Sequence, residues 1–212
     1  MESVMTVEPL SLRERKKQAV RSRILQVAKK LFRSNGYERT SMDEIAESAE
    51  IARKTLFNYM SSKEAILMAL VDDLVYQNMP EWEEKPEPIY YDVRDVIAPN
   101  LDKRLKTIAK NRWLLTMAAE YTNYYNAIKS EYVSSAMRAN SAARVQRITI
   151  LQEERKVRGD LSAEEVSQYY DALRDATIQR WLLTPGSVTA DLSTSFENAM
   201  KVLLQGLLPP SE

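Results

Sequence analysis

Residues 40–67, TSMDEIAESAEIARKTLFNYMSSKEAIL, constrain the fold of this chain more than any other stretch. Helix-start signals and short apolar stripes follow one another there so closely that the segment reads as two short helices across a tight turn, with a third beginning behind them. SMDE is a capping box: the Ser41 hydroxyl takes a free backbone N–H of the first turn, and Glu44 reaches back. Met42, Ile45, Ala46 and Ala49 form the buried stripe of that first helix. Glu50 and Ile51 make the turn. The second helix covers about 52–60. On a helical wheel Ala52, Leu56, Tyr59 and Met60 share one face, while Arg53, Lys54, Phe57 and Asn58 point the other way. Ser61 or Ser62 then caps a helix from 63 to about 78, striped by Ile66, Leu67, Leu70, Val71 and Leu74.

Two short helices across a tight turn are a helix-turn-helix, whose second helix fits the DNA major groove. Arg53 and Lys54 suit phosphates or guanine edges, Asn58 suits adenine, and Thr55 offers a hydroxyl and a methyl. The N–H groups at a helix start, beside Ser41 or near Ser62 and Lys63, suit a phosphate. A basic face on a helix pair is also a common solvated surface. Phe57 on the polar side tips the balance, because an exposed aromatic makes a sensible contact to a thymine methyl or a sugar. The overall charge of zero hides an asymmetry in the same direction. From Arg13 to Lys63 there are 13 Lys and Arg against 6 Asp and Glu; from 64 onward there are 17 against 22. A basic module joined to an acidic body implies a polyanionic partner for the first part alone.

The rest of the chain reads as all-α. Residues 1–10 form a disordered tail. A helix spans 12–35, with Val20, Ile24, Val27, Ala28 and Leu31 on its buried face and Gly36 as its stop. The proline-rich, acidic segment 79–92 is an irregular joint. Helix resumes at about 93, breaks near Pro99, and continues as helices over 110–124 and 127–158, the latter ended by Gly159. Ser162 and Glu165 form a second capping box, opening a helix to about 183 striped by Val166, Tyr169, Tyr170, Leu173, Thr177 and Trp181. TPGS at 184–187 ends it, and a last helix runs over 191–208 with Leu192, Phe196, Ala199, Leu203 and Leu207 on one side. These last two stripes, 162–183 and 191–208, are wider than one neighbour needs: they belong either to intrachain packing or to a two-fold four-helix contact between copies. Trp113, Met117, Tyr121, Tyr124 and Tyr125, with Tyr169 and Tyr170 in a later helix, are either plain core or the lining of an apolar ligand cavity; Glu120 in the same stretch is either a surface carboxylate or a partner for a cation.

With neither Cys nor His, the chain has no disulfide, no thiolate nucleophile, no Ser-His or Cys-His triad and no His-ligated zinc. No Gly-rich phosphate loop or metal-ligand cluster stands out, so no cofactor or metal is expected. No apolar run is long enough to span a membrane, and the first residues lack an apolar signal region, so a cytoplasmic protein is expected.

ILQVAKKLFRSNGYERTSMDEIAESAEIARKTLFNYMSSKEAIL resembles the N-terminal domain of the TetR family of transcriptional repressors, strongly over about Arg23 to Leu70. The resemblance implies a DNA-binding domain over 11–62 and a helical effector-binding and dimerisation domain over 63–212. It implies that Thr40 and Ser41 touch phosphate, and that Arg53, Lys54, Thr55, Phe57 and Asn58 sit in or beside the major groove. Tyr59 would place its hydroxyl at a phosphate, and Lys63 would bind phosphate from the next helix. It also implies a homodimer on a palindromic operator, released by a small apolar or aromatic effector. Where the family usually has Gly, a β-branched residue and Ser in the turn, this chain has Glu50, Ile51 and Ala52. Glu50 is therefore expected in a left-handed conformation costing roughly 1 kcal/mol, and Ala52 forgoes a side-chain cap worth about as much. The rival readings are a small helical enzyme using carboxylates, a DNA-binding protein whose body takes no ligand, and an activator in place of a repressor.

Overall fold

The computed structural model describes residues 11–78, 93–122, 131–184 and 191–207, and among them every regular element is a helix. Two compact units divide between Leu70 and Val71. The tail 1–10, the joint 79–92 and most of the TPGS stop lie outside the described residues.

In the first unit, α1 (Leu12–Asn35) opens on a capping box: the Ser11 hydroxyl accepts the Glu14 N–H, and the Glu14 carboxylate accepts the Ser11 N–H at 2.9 Å. It closes at Gly36, whose φ of 84° a residue with a Cβ rarely adopts. The buried face of α1 is Ile24, Leu25, Ala28 and Phe32. Val20, Val27 and Leu31 are only half-buried, so the stripe is rotated from the sequence reading towards the aromatic Phe32, which meets Tyr37 with ring centroids 5.3 Å apart. α1 packs on α2 (Met42–Ser48), and α2 on α3 (Arg53–Tyr59). α4 (Lys63–Gln77) carries Ile66, Leu67, Leu70, Val71 and Leu74 buried as its spacing requires, and runs without interruption through the division between the units.

The second unit comprises α5 (Val93–Ile97), α6 (Leu101–Lys110), α7 (Arg112–Tyr121), α8 (Glu131–Glu153), α9 (Ala163–Leu183) and α10 (Leu192–Leu207), together with the end of α4. α9 is the hub, packed on α7, α8 and α10. Its buried residues Val166, Tyr170 and Trp181 join Leu101, Leu105, Ile148, Leu151, Phe196 and Met200 in one core. Pro99 falls in the break between α5 and α6, as its ring requires.

Three readings of the sequence give way here. The helix placed over 110–124 is interrupted at Asn111, whose amide donates to the Thr107 carbonyl at 2.9 Å and so ends α6 before α7 begins. α8 stops at Glu153, well before Gly159: Arg155 takes the left-handed place at φ 56°, and the Lys156 N–H reaches the Leu151 carbonyl at 2.9 Å. The stripe of α9 also narrows, for Tyr169 is exposed while Tyr170 is buried. The second capping box forms in full, with the Ser162 hydroxyl accepting the Glu165 N–H and Glu165 accepting the Ser162 N–H.

Candidate nucleic-acid interface

The turn between α2 and α3 is a helix C-terminus closed on itself. The Ile51 N–H donates to the Ala46 carbonyl at 3.0 Å and the Glu50 N–H to the Glu47 carbonyl at 2.9 Å, the paired bonds of a Schellman motif. That motif needs a left-handed residue, and Glu50 supplies it at φ 52°. Its carboxylate lies 3.7 Å from the Arg23 guanidinium of α1, with both groups largely in water. Ala52 holds the extended backbone of an N-cap, φ −64° and ψ 144°, with no side chain to bond the first turn of α3.

Burial of Leu56 and Met60 fixes the rotation of α3. Arg53, Lys54, Phe57 and Asn58 are consequently exposed together, and Thr55 and Tyr59 flank them half-buried. Phe57 keeps 41% of its surface in water, an unusual expense for an aromatic of this size. The Arg53 guanidinium stands 5.6 Å from the Phe57 ring centroid, and its Nε is 3.0 Å from the Asp43 carboxylate. Both partners of that ion pair are well over half exposed, so a phosphate or a base edge can replace Asp43 at little cost. Lys54 and Asn58 have no partner among the described residues.

Ser41 caps α2, its hydroxyl accepting the Glu44 N–H at 3.1 Å. Only half of the expected box forms, because the Glu44 carboxylate accepts from the Asn35 amide at 2.9 Å. Two other expected phosphate contacts are engaged within the fold. Thr40 is buried and its hydroxyl donates to the Gly36 carbonyl at 2.8 Å. Lys63 Nζ donates to the Tyr37 carbonyl at 2.7 Å and lies 4.3 Å from the centre of the Tyr37 ring, tying the start of α4 to the α1–α2 turn. Tyr37 is the residue that sequence reasoning passed over; the signal was its place directly after the helix-stopping Gly36.

In the second unit, Trp113, Met117 and Tyr121 recur every four residues along one half-buried face of α7. Glu120 and Tyr169 are exposed, and Tyr124 and Tyr125 lie outside the described residues. The sequence reading also missed a buried polar cluster. Arg144 on α8, 1% exposed, donates to Asp171 at 2.9 Å, to Ser167 at 3.1 Å and to the Ile97 carbonyl at 3.3 Å, and covers the Tyr170 ring at 4.3 Å. The clue was its spacing: Arg144 sits in register with the apolar Ile148 and Leu151.

Residues 24–70 match the family model described as "Bacterial regulatory proteins, tetR family". The regulator TcmR of Streptomyces glaucescens is 31% identical over 75 residues, a span of only about a third of either chain. TtgR of Pseudomonas putida is 25% identical over 181 residues, 81% of this chain and 84% of that one. Among solved structures, Thermus thermophilus FadR, a TetR family repressor in complex with lauroyl-CoA, aligns over 91% of this chain and 97% of its own with a TM-score of 0.59 at 24% identity. Bacillus subtilis FadR with stearoyl-CoA aligns over 88% and 98%, with a TM-score of 0.60 at 16% identity. The short paired helices with one polar exposed face and the match across them agree: residues 24–70 are an N-terminal domain of the TetR family of bacterial regulatory proteins, and the all-α fold carries the likeness over the rest of the chain.

Proposed function

We propose that the protein is a homodimeric repressor that binds a palindromic operator and leaves it when a small, largely apolar effector binds the helical body. Residues 11–62 read DNA, and residues 63–212 receive the effector and the second copy. The observation that carries this reading is the outward face of α3, where Lys54, Phe57 and Asn58 stand exposed beside an easily displaced Arg53. Arg53 and Lys54 meet phosphates or guanine edges, Asn58 an adenine, and Thr55 and Phe57 the methyl and sugar surface. Ser41 and Tyr59 face the flanking backbone. Thr40 and Lys63 serve the same contacts by fixing the turn that presents α2, and Lys63 retains a third N–H for a phosphate.

Dimerisation is supported by the apolar surface that α9 and α10 leave in water, with Tyr169, Leu183 and Val202 each more than half exposed. Two copies would set their reading helices one DNA turn apart, roughly 34–36 Å. An effector releases such a protein by preferring a body in which that separation is wrong, and only by its difference in affinity for the two states, typically ~1–3 kcal/mol. The neighbours bound to acyl-CoA make a long-chain acyl compound a fitting first effector to try, against the Trp113, Met117 and Tyr121 face.

Selection of bound sequences from a random duplex pool, at stated salt, tests the reading. A two-fold symmetric motif recovered by a dimer is the expected result. A monomer that enriches no sequence and binds no duplex at low ionic strength would overturn it.

A further inference from the structure

Around Tyr170 the second unit gathers three guanidinium groups against two carboxylates. Arg144 and Arg174 share Asp171 at 2.9 and 2.7 Å, and Arg174 also holds Asp175 at 2.8 Å. Arg104 of α6 completes the ring, but its hydrogen bond, at 2.9 Å, goes to the neutral carbonyl of Asn78 at the end of α4. The three cations are not equally compensated. Burial pulls Arg174 down, yet Asp175 and Asp171 outweigh it and hold the group above its ordinary value. Burial pushes Arg104 below its ordinary value, and Tyr170 and Asp171 do not restore it. The Tyr170 hydroxyl, on a residue 1% exposed, faces the Arg104 guanidinium but closes no hydrogen bond of normal geometry. A buried hydroxyl in that position is destabilising, and a half-buried cation short of counter-charge adds to that. Both deficits sit side by side, and one oxyanion would remove both.

We propose that the Arg104 guanidinium and the Tyr170 hydroxyl form the seat for the anionic head, a carboxylate or a phosphate, of an amphiphilic effector. The inference rests on the reading above of the second unit as an effector-binding body, and adds the chemical class of the ligand and its link to α4. In taking the anion, Arg104 is drawn from the Asn78 carbonyl. That contact places a cation at the C-terminus of α4, where the helix dipole favours one. Its loss changes the end of the same helix whose first residue, Lys63, holds the α1–α2 turn.

Three probes with one tail test the seat on the full chain: dodecanoate, dodecyl phosphate and dodecanol, titrated below micelle formation by calorimetry. At least one anion is expected to bind about ten- to a hundredfold tighter than the alcohol, the range of a hydrogen bond to a charged group. Whichever anion gains more identifies the head group. Arg104→Gln should bring the anion close to the alcohol while leaving the alcohol unchanged, and Arg104→Lys should recover part of the preference. Tyr170→Phe, which removes one oxygen and keeps the packing, should weaken only the anion and guards against a folding defect in the Arg104 variants. Equal binding of all three probes, binding of none, or an anion preference that survives Arg104→Gln would overturn the proposal. Operator binding by the ligand-free protein is measured separately, so a protein that holds DNA but shows no anion preference rejects this inference and spares the regulator reading.

Discussion

Replacing Glu50 with glycine should stabilise the reading unit. Glu50 sits at φ 52°, where its Cβ crowds the backbone, because the Schellman closure between Ala46 and Ile51 needs a left-handed residue there. That conformation costs an L-residue about 1–2 kcal/mol, and glycine almost nothing. Against the gain stand two losses. The 3.7 Å contact with Arg23, 45% and 83% exposed, contributes a few tenths of a kcal/mol at most. Glycine also gives the unfolded chain more freedom, worth about 0.4–1 kcal/mol. The net expectation is a gain of about 0.5–1 kcal/mol, which for a unit of 60–100 residues is a rise of roughly 2–8 °C in Tm. Trp82, Trp113 and Trp181 all lie after the division at Leu70, so tryptophan fluorescence follows the second unit while far-ultraviolet circular dichroism follows both. The rise should appear in the dichroism transition of the reading unit and leave the fluorescence transition in place. Glu50→Ala is the control: it loses the same ion pair and keeps the Cβ, so it should gain nothing. If Glu50→Ala stabilises as much as Glu50→Gly, relief of charge and not of backbone strain is the cause, and the reasoning fails.

Ala52→Ser should add about 1 kcal/mol in urea denaturation, because the N-cap backbone is already in place and lacks only an oxygen for the first turn of α3. Lys63→Met should cost the reading unit about 1 kcal/mol or more, since it strips the donor from the Tyr37 carbonyl, and its loss should show in the ligand- and DNA-free protein. Arg144→Leu should cost about 1–3 kcal/mol in the second unit, as it takes the side-chain donor from the Ile97 carbonyl while Asp171 keeps Arg174 and Ser167 keeps Ser141; no loss by chemical denaturation would refute the network. The Glu165 carboxyl is held below its ordinary value of 4.5, first by the Ser162 hydroxyl and then by its N–H. A lowered carboxyl stabilises above its unfolded pKa and loses that contribution as pH falls through the folded one. Ser162→Ala should therefore weaken α9 at neutral pH and flatten the acid limb of the stability profile measured below about pH 4.5.

What was legible in the sequence was chemistry that a few adjacent residues settle among themselves. Gly36 ends α1 because nothing else nearby takes its conformation cheaply, and Ser162 with Glu165 starts α9 because both halves of the bond lie within one turn. The exposed face of α3 was readable for the same reason, since Leu56 and Met60 leave one rotation that buries them. Pairings across the chain were not readable. Glu44 had two acceptable donors, the Ser41 N–H and the Asn35 amide, and only the approach of α1 decides for Asn35. Gly159 looked like the stop of α8, yet the helix ends earlier at the strained Arg155. Burial of Leu151 and Val157, and the Gln152 amide bonded to the Arg158 and Leu161 carbonyls, outweigh the roughly 1 kcal/mol that a left-handed arginine costs. Glu50 and Arg155 thus make one physical point. A left-handed place is assigned by where the next segment must pack, and the residue standing there accepts the strain. The Arg104 and Tyr170 seat shows the opposite limit: three arginines scattered over α6, α8 and α9 carry no common sequence signal, and only their convergence on one phenol reveals an imbalance of charge.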